Sequence, residues 1–177
     1  MNTVLFGIKG CGKTTFGKLL AKKKGCAFID TDRLIEEVYQ VNRQKKLTCR
    51  QIYEEVGPIT FRALEYEVVQ SLQDVQNSVI AVGGGAMLLH ENVEALSKNS
   101  HLIYLYFERE KLKKRVLAED PLPAFINPND PESSFDKMYD EREDFYEKIG
   151  ANKIDVTEMT DDAVIRKICE VIQNGKQ

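Results

Sequence analysis

The residues of this chain with the most evident chemical potential begin at Gly7, in the stretch Gly7-Ile8-Lys9-Gly10-Cys11-Gly12-Lys13-Thr14. This is the spacing GxxxxGKT, set directly after the apolar run Val4-Leu5-Phe6 and before a stretch able to continue as helix. Gly7, Gly10 and Gly12 let the backbone turn tightly, so that successive N–H groups point inward at phosphate oxygens. The following helix presents its positive end to the same anion. Lys13 is placed to reach the β and γ phosphates, and the Thr14 hydroxyl to complete the coordination of Mg²⁺, which takes oxygen ligands and keeps several waters. A chance match in a glycine-containing turn is the plain alternative, but the strand before and the helix after are the context that nucleotide binding requires. The dinucleotide spacing GxGxxG is not met.

Phosphate binding does not name the acceptor. In Phe28-Ile29-Asp30-Thr31-Asp32-Arg33-Leu34, Asp30 and Asp32 flank the end of a second apolar run. One carboxylate can anchor Mg²⁺ through water, and the other can accept a hydrogen bond from an attacking hydroxyl. An N-cap is the competing use, and Asp30 or Thr31 would serve it. Arg62 and Glu65, in Phe-Arg-Ala-Leu-Glu, are three apart and so adjacent on one helix surface. With Arg142 they could form a clamp in which two guanidinium groups grip one carboxylate and Glu65 aims Arg62. Local pairing of Arg142 with Asp140, Glu141, Glu143 or Asp144 is the ordinary alternative. Three consecutive glycines, Gly83 to Gly85, exceed what a turn needs and suit a backbone that must approach a ligand closely.

These residues need a frame. Short apolar runs at Thr3–Phe6, Ala27–Ile29, Ser78–Val82, Leu102–Phe107 and Lys153–Val156 alternate with helical periodicity, the pattern of an α/β domain with a mostly parallel sheet. Leu34, Ile35, Val38 and Tyr39 mark one helix, and Phe61, Leu64, Val68, Leu72 and Val75 a long one. Val164, Ile168, Val171 and Ile172 mark a last helix, with Thr160-Asp161-Asp162 as cap and first turn. Lys22-Lys23-Lys24 before Gly25 reads as a helix end. Residues 118–134 hold four of the five prolines and read as a long mobile loop. The 177 residues, 42% of them hydrophobic, suit a single domain spanning the chain.

A net charge of −3 offers no basic footprint for nucleic acid, and no apolar run is long enough to cross a bilayer. The chain starts directly in a strand, without a signal core, so a cytoplasmic protein is expected. Cys11, Cys26, Cys49 and Cys169 are scattered, and with only His90 and His101 beside them suggest free thiols and no zinc site.

The ordered set of GxxxxGKT, Asp-Thr-Asp, Phe-Arg-x-x-Glu, Gly-Gly-Gly, a proline-rich loop and Arg142-Glu-Asp-Phe-Tyr resembles the shikimate kinases over nearly the whole chain. The resemblance implies a five-stranded parallel sheet in the order 2-3-1-4-5 with helices on both faces. It also implies transfer of a phosphoryl group from ATP to shikimate, with Mg²⁺, by a monomer. Residue by residue, it implies nucleotide binding by Gly10, Cys11, Gly12, Lys13, Thr14, Thr15 and Arg115, with Thr14 on the metal and Asp30 nearby. Asp32 would bind the ring hydroxyls and orient the attacking one, with Arg62, Gly84, Gly85 and Arg142 holding the substrate and Glu65 supporting. The stretch Asp155 to Thr160 would contact adenine.

One departure stands out. The family's lid carries an arginine just before Pro-Leu, where this chain has Asp120 before Pro121-Leu122. The loop is therefore expected to close with Asp120 turned away from the phosphates and Arg115 or a neighbouring lysine supplying the cation. A kinase for another small hydroxylated acceptor, such as gluconate, would need no Phe-Arg-x-x-Glu with three glycines. A non-catalytic module would have no use for Lys13, Thr14 and Asp32 together.

Overall fold

The computed structural model describes residues 1–174. Five strands, β1 (Asn2–Phe6), β2 (Ala27–Asp30), β3 (Ser78–Ala81), β4 (Ser100–Tyr106) and β5 (Asn152–Asp155), form one parallel sheet in the order β2-β3-β1-β4-β5. The order matches the expectation, with strand ends differing by one or two residues. β1 lies at the centre and is buried along its whole length, as a strand covered on both faces must be. Parallel pairing brings every strand's carboxyl end to one edge, where the glycine-rich turn follows β1, Asp30 ends β2 and the three glycines follow β3.

Among the described residues seven α-helices cover the sheet: α1 (Lys13–Lys24), α2 (Thr31–Arg43), α3 (Cys49–Gln70), α4 (His90–Ser97), α5 (Arg109–Leu117), α6 (Pro131–Lys148) and α7 (Asp161–Asn174). α1 ends as its sequence directs, with three lysines in the last turn and Gly25 in the left-handed conformation after it. α7 begins where Thr160 accepts a bond from the Ala163 N–H.

Two boundaries differ from the sequence reading. The long helix starts twelve residues before Phe61, at Cys49, where Thr48 and Gln51 form a capping box. It kinks at Gly57 (φ 78°) ahead of Pro58 and ends at Gln70, leaving Leu72 and Val75 in turns that still face the core. The proline-rich loop ends at residue 130 and not at 134. Pro131 sits in the first turn of α6, where its missing N–H costs nothing, and Asp130 caps the helix by accepting from the Ser133 N–H.

The main core lies around the sheet, with Phe6 stacked on Tyr104 at 5.4 Å and edge-on to Tyr146 at 5.3 Å. A second, smaller cluster of Ile35, Tyr39, Ile52, Phe61 and Val68 joins α2 to α3 and fixes the flank that bears Arg62. Buried Asn2 ties the sheet to the turn before β3: its amide donates to Val75 O at 2.7 Å and accepts from the Ser78 N–H at 3.1 Å. Asn2→Ala leaves both backbone groups unpaired and should lower unfolding stability by about 2–6 kcal/mol, at roughly 1–3 kcal/mol per orphaned group. Urea denaturation checks this, and a change below about 0.5 kcal/mol would mean that water replaces the amide.

Candidate active site

The carboxyl edge of the sheet opens into a cleft of about 490 Å³, walled on one side by the P-loop, residues 7–14, and on the other by α3 and the loop 118–130. Gly10 and Gly12 take positive φ (89° and 99°), which lets the chain wrap back before α1. Gly12 caps α1 without any side-chain bond, leaving the first-turn N–H groups for an anion. Lys13 Nζ donates to the carbonyls of Gly7 (2.9 Å) and Ile8 (3.2 Å), so its charge is held inside the loop. Gly10, Gly12, Lys13, Thr14 and Thr15 all line the cleft. Cys11 does not: its side chain is buried beneath the loop and its N–H is turned to Ile8 O at 3.2 Å.

The N-cap reading of the acidic pair is met at Asp30. Asp30, the last residue of β2, caps α2 by accepting from the Asp32 N–H at 3.1 Å, and its other oxygen accepts from the Thr14 hydroxyl at 2.9 Å. This hard-oxygen pair beside Lys13 fits Mg²⁺, which draws most of its ligands from water and phosphate. No cluster of three or more His, Cys, Asp or Glu side chains that could hold a metal occurs among the described residues. Asp32 is not at the strand end but in the first turn of α2, with its carboxylate open to the cleft and walled by protein. Removal from bulk water, and then Asp30 beside it, raise its pKa above the usual carboxylate range, while Lys13 and Lys9 oppose the shift.

The three glycines are explained by side chains. A Cβ on Gly83 would lie 2.6 Å from Asp32 Oδ1 and 3.0 Å from Glu65 Oε1. One on Gly84 would lie 2.9 Å from the Arg142 guanidinium, and one on Gly85 would fall inside the guanidinium of Arg62. The turn is pinned by Thr31, whose hydroxyl accepts from the Gly83 N–H at 2.9 Å, and by the Tyr146 hydroxyl, which donates to Gly84 O. Four residues predicted from three separate motifs, Asp32, Arg62, Glu65 and Arg142, thus meet around one backbone.

Arg62 bonds Glu65 at 2.5 Å, as its spacing suggests, and Glu65 is buried, which raises its pKa against the pull of Arg62. Arg142 makes no local pair. It is 6% exposed, one guanidinium nitrogen has no hydrogen-bond partner, and the ring of Phe125 lies 4.8 Å from its Cζ. Burial pushes its pKa down, so a carboxylate delivered beside it would relieve a buried, underpaired charge. Asp140, a candidate local partner, is engaged by Arg109 at 2.7 Å.

Arg115 lies against the P-loop, donating to Gly10 O at 2.9 Å with its guanidinium over Phe107. Asp120 is exposed and absent from the lining of the cleft, whereas Glu119 and Pro121 line it. The segment 155–160 also lies off that lining; there the Thr157 hydroxyl accepts from the Glu108 N–H at 2.8 Å. Sequence reasoning missed Cys49, Tyr53 and Phe125, all on the cleft wall. Of these, only Tyr53 carried a signal, since it stands eight residues before Phe61 on the same side of α3 and their rings meet at 5.4 Å.

The shikimate kinase family model matches residues 9–173. The chain is 36% identical over 145 residues to the shikimate kinase of Caldicellulosiruptor bescii, covering 82% of this chain and 80% of that protein. It is 35% identical over 175 residues to that of Symbiobacterium thermophilum, covering 98% and 97%. Among solved structures, shikimate kinase from Acinetobacter baumannii in complex with shikimate superposes with a TM-score of 0.86 at 29% identity, covering 99% of this chain and 94% of that one.

Gly85 has φ −104°, which alanine adopts freely, so any effect of Gly85→Ala must come from its methyl group displacing Arg62. The variant should lose about 10²-fold in kcat/KM, the scale of an ångström-sized misplacement. Steady-state kinetics at varied acceptor concentration checks this, and parental values would show that Arg62 is free to move aside.

Proposed function

The chain belongs to the shikimate kinase family, and on that premise we propose how its own residues transfer the γ-phosphoryl of ATP to shikimate, giving shikimate 3-phosphate and ADP. The observation that carries the assignment of roles is the buried, underpaired guanidinium of Arg142 beside the Arg62–Glu65 pair, in the same cleft as Lys13 and Asp32.

Arg142 and Arg62 take the carboxylate of shikimate, Arg142 gaining the partner it lacks and Arg62 held in aim by Glu65. Gly84 and Gly85 let the ring lie close to both arginines. Asp32 then accepts a hydrogen bond from the attacking hydroxyl and takes its proton as the new O–P bond forms. Lys13 leaves its two carbonyl partners to meet the β and γ oxygens, whose charge spreads as the bond to ADP breaks. The N–H groups of Gly10, Cys11, Gly12, Thr14 and Thr15 hold the phosphates, for which the Cys11 N–H must leave Ile8 O, and Arg115 flanks them. Thr14, with Asp30 behind it, would hold Mg²⁺, which would supply neutralisation of phosphate charge when bound. The segment 155–160 takes the adenine beyond the cleft lining. The loop 118–130 closes over the reactants and keeps water from the phosphoryl group. A single domain acting as a monomer suffices for this chemistry, because Lys13, Asp32, Arg62 and Arg142 all line one cleft of the chain. The free thiols suit a reducing cytoplasm.

A coupled ADP-release assay with shikimate, its methyl ester and gluconate tests the reading. Shikimate should turn over and gluconate should not, with the ester slower by about tenfold or more for loss of a charge-assisted contact. Equal rates on gluconate would overturn it. Arg62→Lys and Arg142→Lys should each raise the KM for shikimate by a similar factor despite keeping the charge.

The raised pKa of Asp32 has a definite sign in both rate and stability. Its base form is lost as pH falls, so the acid limb of kcat/KM should lie above the ordinary aspartate range. A raised native pKa stabilises the fold below the unfolded value, and that stability is lost as pH rises through the native one. Asp32→Asn should therefore nearly abolish kcat near neutrality without lowering Tm. A variant with parental kcat removes Asp32 from the proton transfer.

A further inference from the structure

The loop that closes the cleft, residues 118–130, contains Glu119, Asp120 and Asp130 but no lysine or arginine. Bringing it over a polyanionic nucleotide sets negative charge against negative charge, so the opposing cation must come from elsewhere. Six cationic side chains line the cleft, and most already have a place. Lys13 is held by P-loop carbonyls, Arg62 by Glu65 and Arg115 by Gly10 O, while Arg50 on α3 pairs through Nε with Glu54 at 2.8 Å and leaves its buried Nη1 without a partner. Arg142 is buried under Phe125 on the acceptor side.

Lys9 is different. It is the third residue of the P-loop, and its Nζ pairs with Glu119 Oε2 of the loop at 3.2 Å, both side chains about two-fifths exposed (44% and 36%). It also lines the adjoining recess shared by Thr14, Asp30 and Asp32, and its backbone N lies next to Gly84. Lys9 therefore stands between the phosphate-binding turn and the residues assigned to the acceptor, on the side from which the loop closes.

We propose that Lys9 is the further cation that binds the γ-phosphoryl group during transfer, and that Glu119 holds it in the cleft until nucleotide replaces the carboxylate. The exchange is favourable in direction. A half-exposed ion pair is weakened by solvent screening, whereas a charge-assisted hydrogen bond to phosphate in a closing site is stronger. Displaced Glu119 is then free to turn outward as the loop closes, which removes one of its negative charges from the neighbourhood of the phosphates. Lys9 thus performs from the floor of the cleft what the loop's own sequence cannot perform from above.

The inference rests on the phosphotransfer reading above, and binding measurements separate the two. By calorimetry in Mg²⁺ buffer, Lys9→Met should weaken the β,γ-imido analogue of ATP by about tenfold or more while changing ADP by less than about twofold, because only the γ group meets the lysine. Lys9→Arg should restore most of the difference. Glu119→Gln should tighten the analogue by about two- to fivefold, and the gain should vanish in the Lys9→Met background, whereas simple repulsion by Glu119 would persist there. With shikimate, Lys9→Met should lower kcat by at least about tenfold at nearly constant KM for shikimate. Equal affinities of the analogue for Lys9→Met and parent, or equal losses for analogue and ADP, would overturn the proposal. A parent enzyme inactive on shikimate would instead overturn the phosphotransfer reading.

Discussion

At Gly83–Gly85 the backbone occupies the space that side chains would need, and three helices use the room. Asp32 arrives from α2, Arg62 and Glu65 from α3, and Arg142 from α6, each within a distance that a single added Cβ would violate. This close approach sets the positions of Asp32, Arg62, Glu65 and Arg142 in the cleft. It also explains why the turn is itself tied down by the Thr31 and Tyr146 hydroxyls. A mobile turn of three glycines would have high conformational freedom and could not hold four charges in register. The smaller core between α2 and α3 serves the same end, since Phe61 anchors the helix one residue before Arg62.

Electrostatically, the cleft is arranged as a set of incomplete pairs. Glu65 compensates Arg62, while Arg142 is buried with an unused donor, the pKa of Asp32 is raised by removal from water and by Asp30 against two lysines, and Lys13 rests on carbonyls. Such sites cost stability in the free protein, because a buried group without a full partner carries its desolvation penalty. Reactants that supply the missing charges relieve that cost, which is how binding energy becomes orientation. The loop 118–130 takes part through Phe125 beneath Arg142 and Glu119 on Lys9, so it touches both the acceptor side and the phosphate side.

Much of this was legible in the linear chain because it depends on local rules. GxxxxGKT prescribes a turn of left-handed glycines followed by a helix start, and Gly10, Gly12 and Lys13 obey it. Apolar runs spaced by helical periodicity prescribe a parallel sheet, and the family resemblance supplied its strand order. The i,i+3 spacing of Arg62 and Glu65 prescribes their pairing on one helical surface. Element ends were less legible: Pro131 reads as a breaker in a proline-rich stretch, yet at a helix's first turn it is a starter, and only Asp130 before it distinguishes the two.

The tertiary structure decided everything that depends on side chains meeting across the sequence. No local pattern tells Arg142, surrounded by Asp140, Glu141, Glu143 and Asp144, to ignore them; that follows from the helical face which turns it inward to Phe125 and Gly84. Nor does the sequence reveal that Gly83 makes room for Asp32 and Glu65, or that Lys9 faces Glu119 across 110 positions of chain. The sequence determined the phosphate-binding turn and the alternation of strands and helices, because each depends on neighbours a few residues apart. Packing of α2, α3 and α6 against the edge of the sheet decided which charges find partners and which are left for a ligand, because those distances exist only once the chain has closed upon itself.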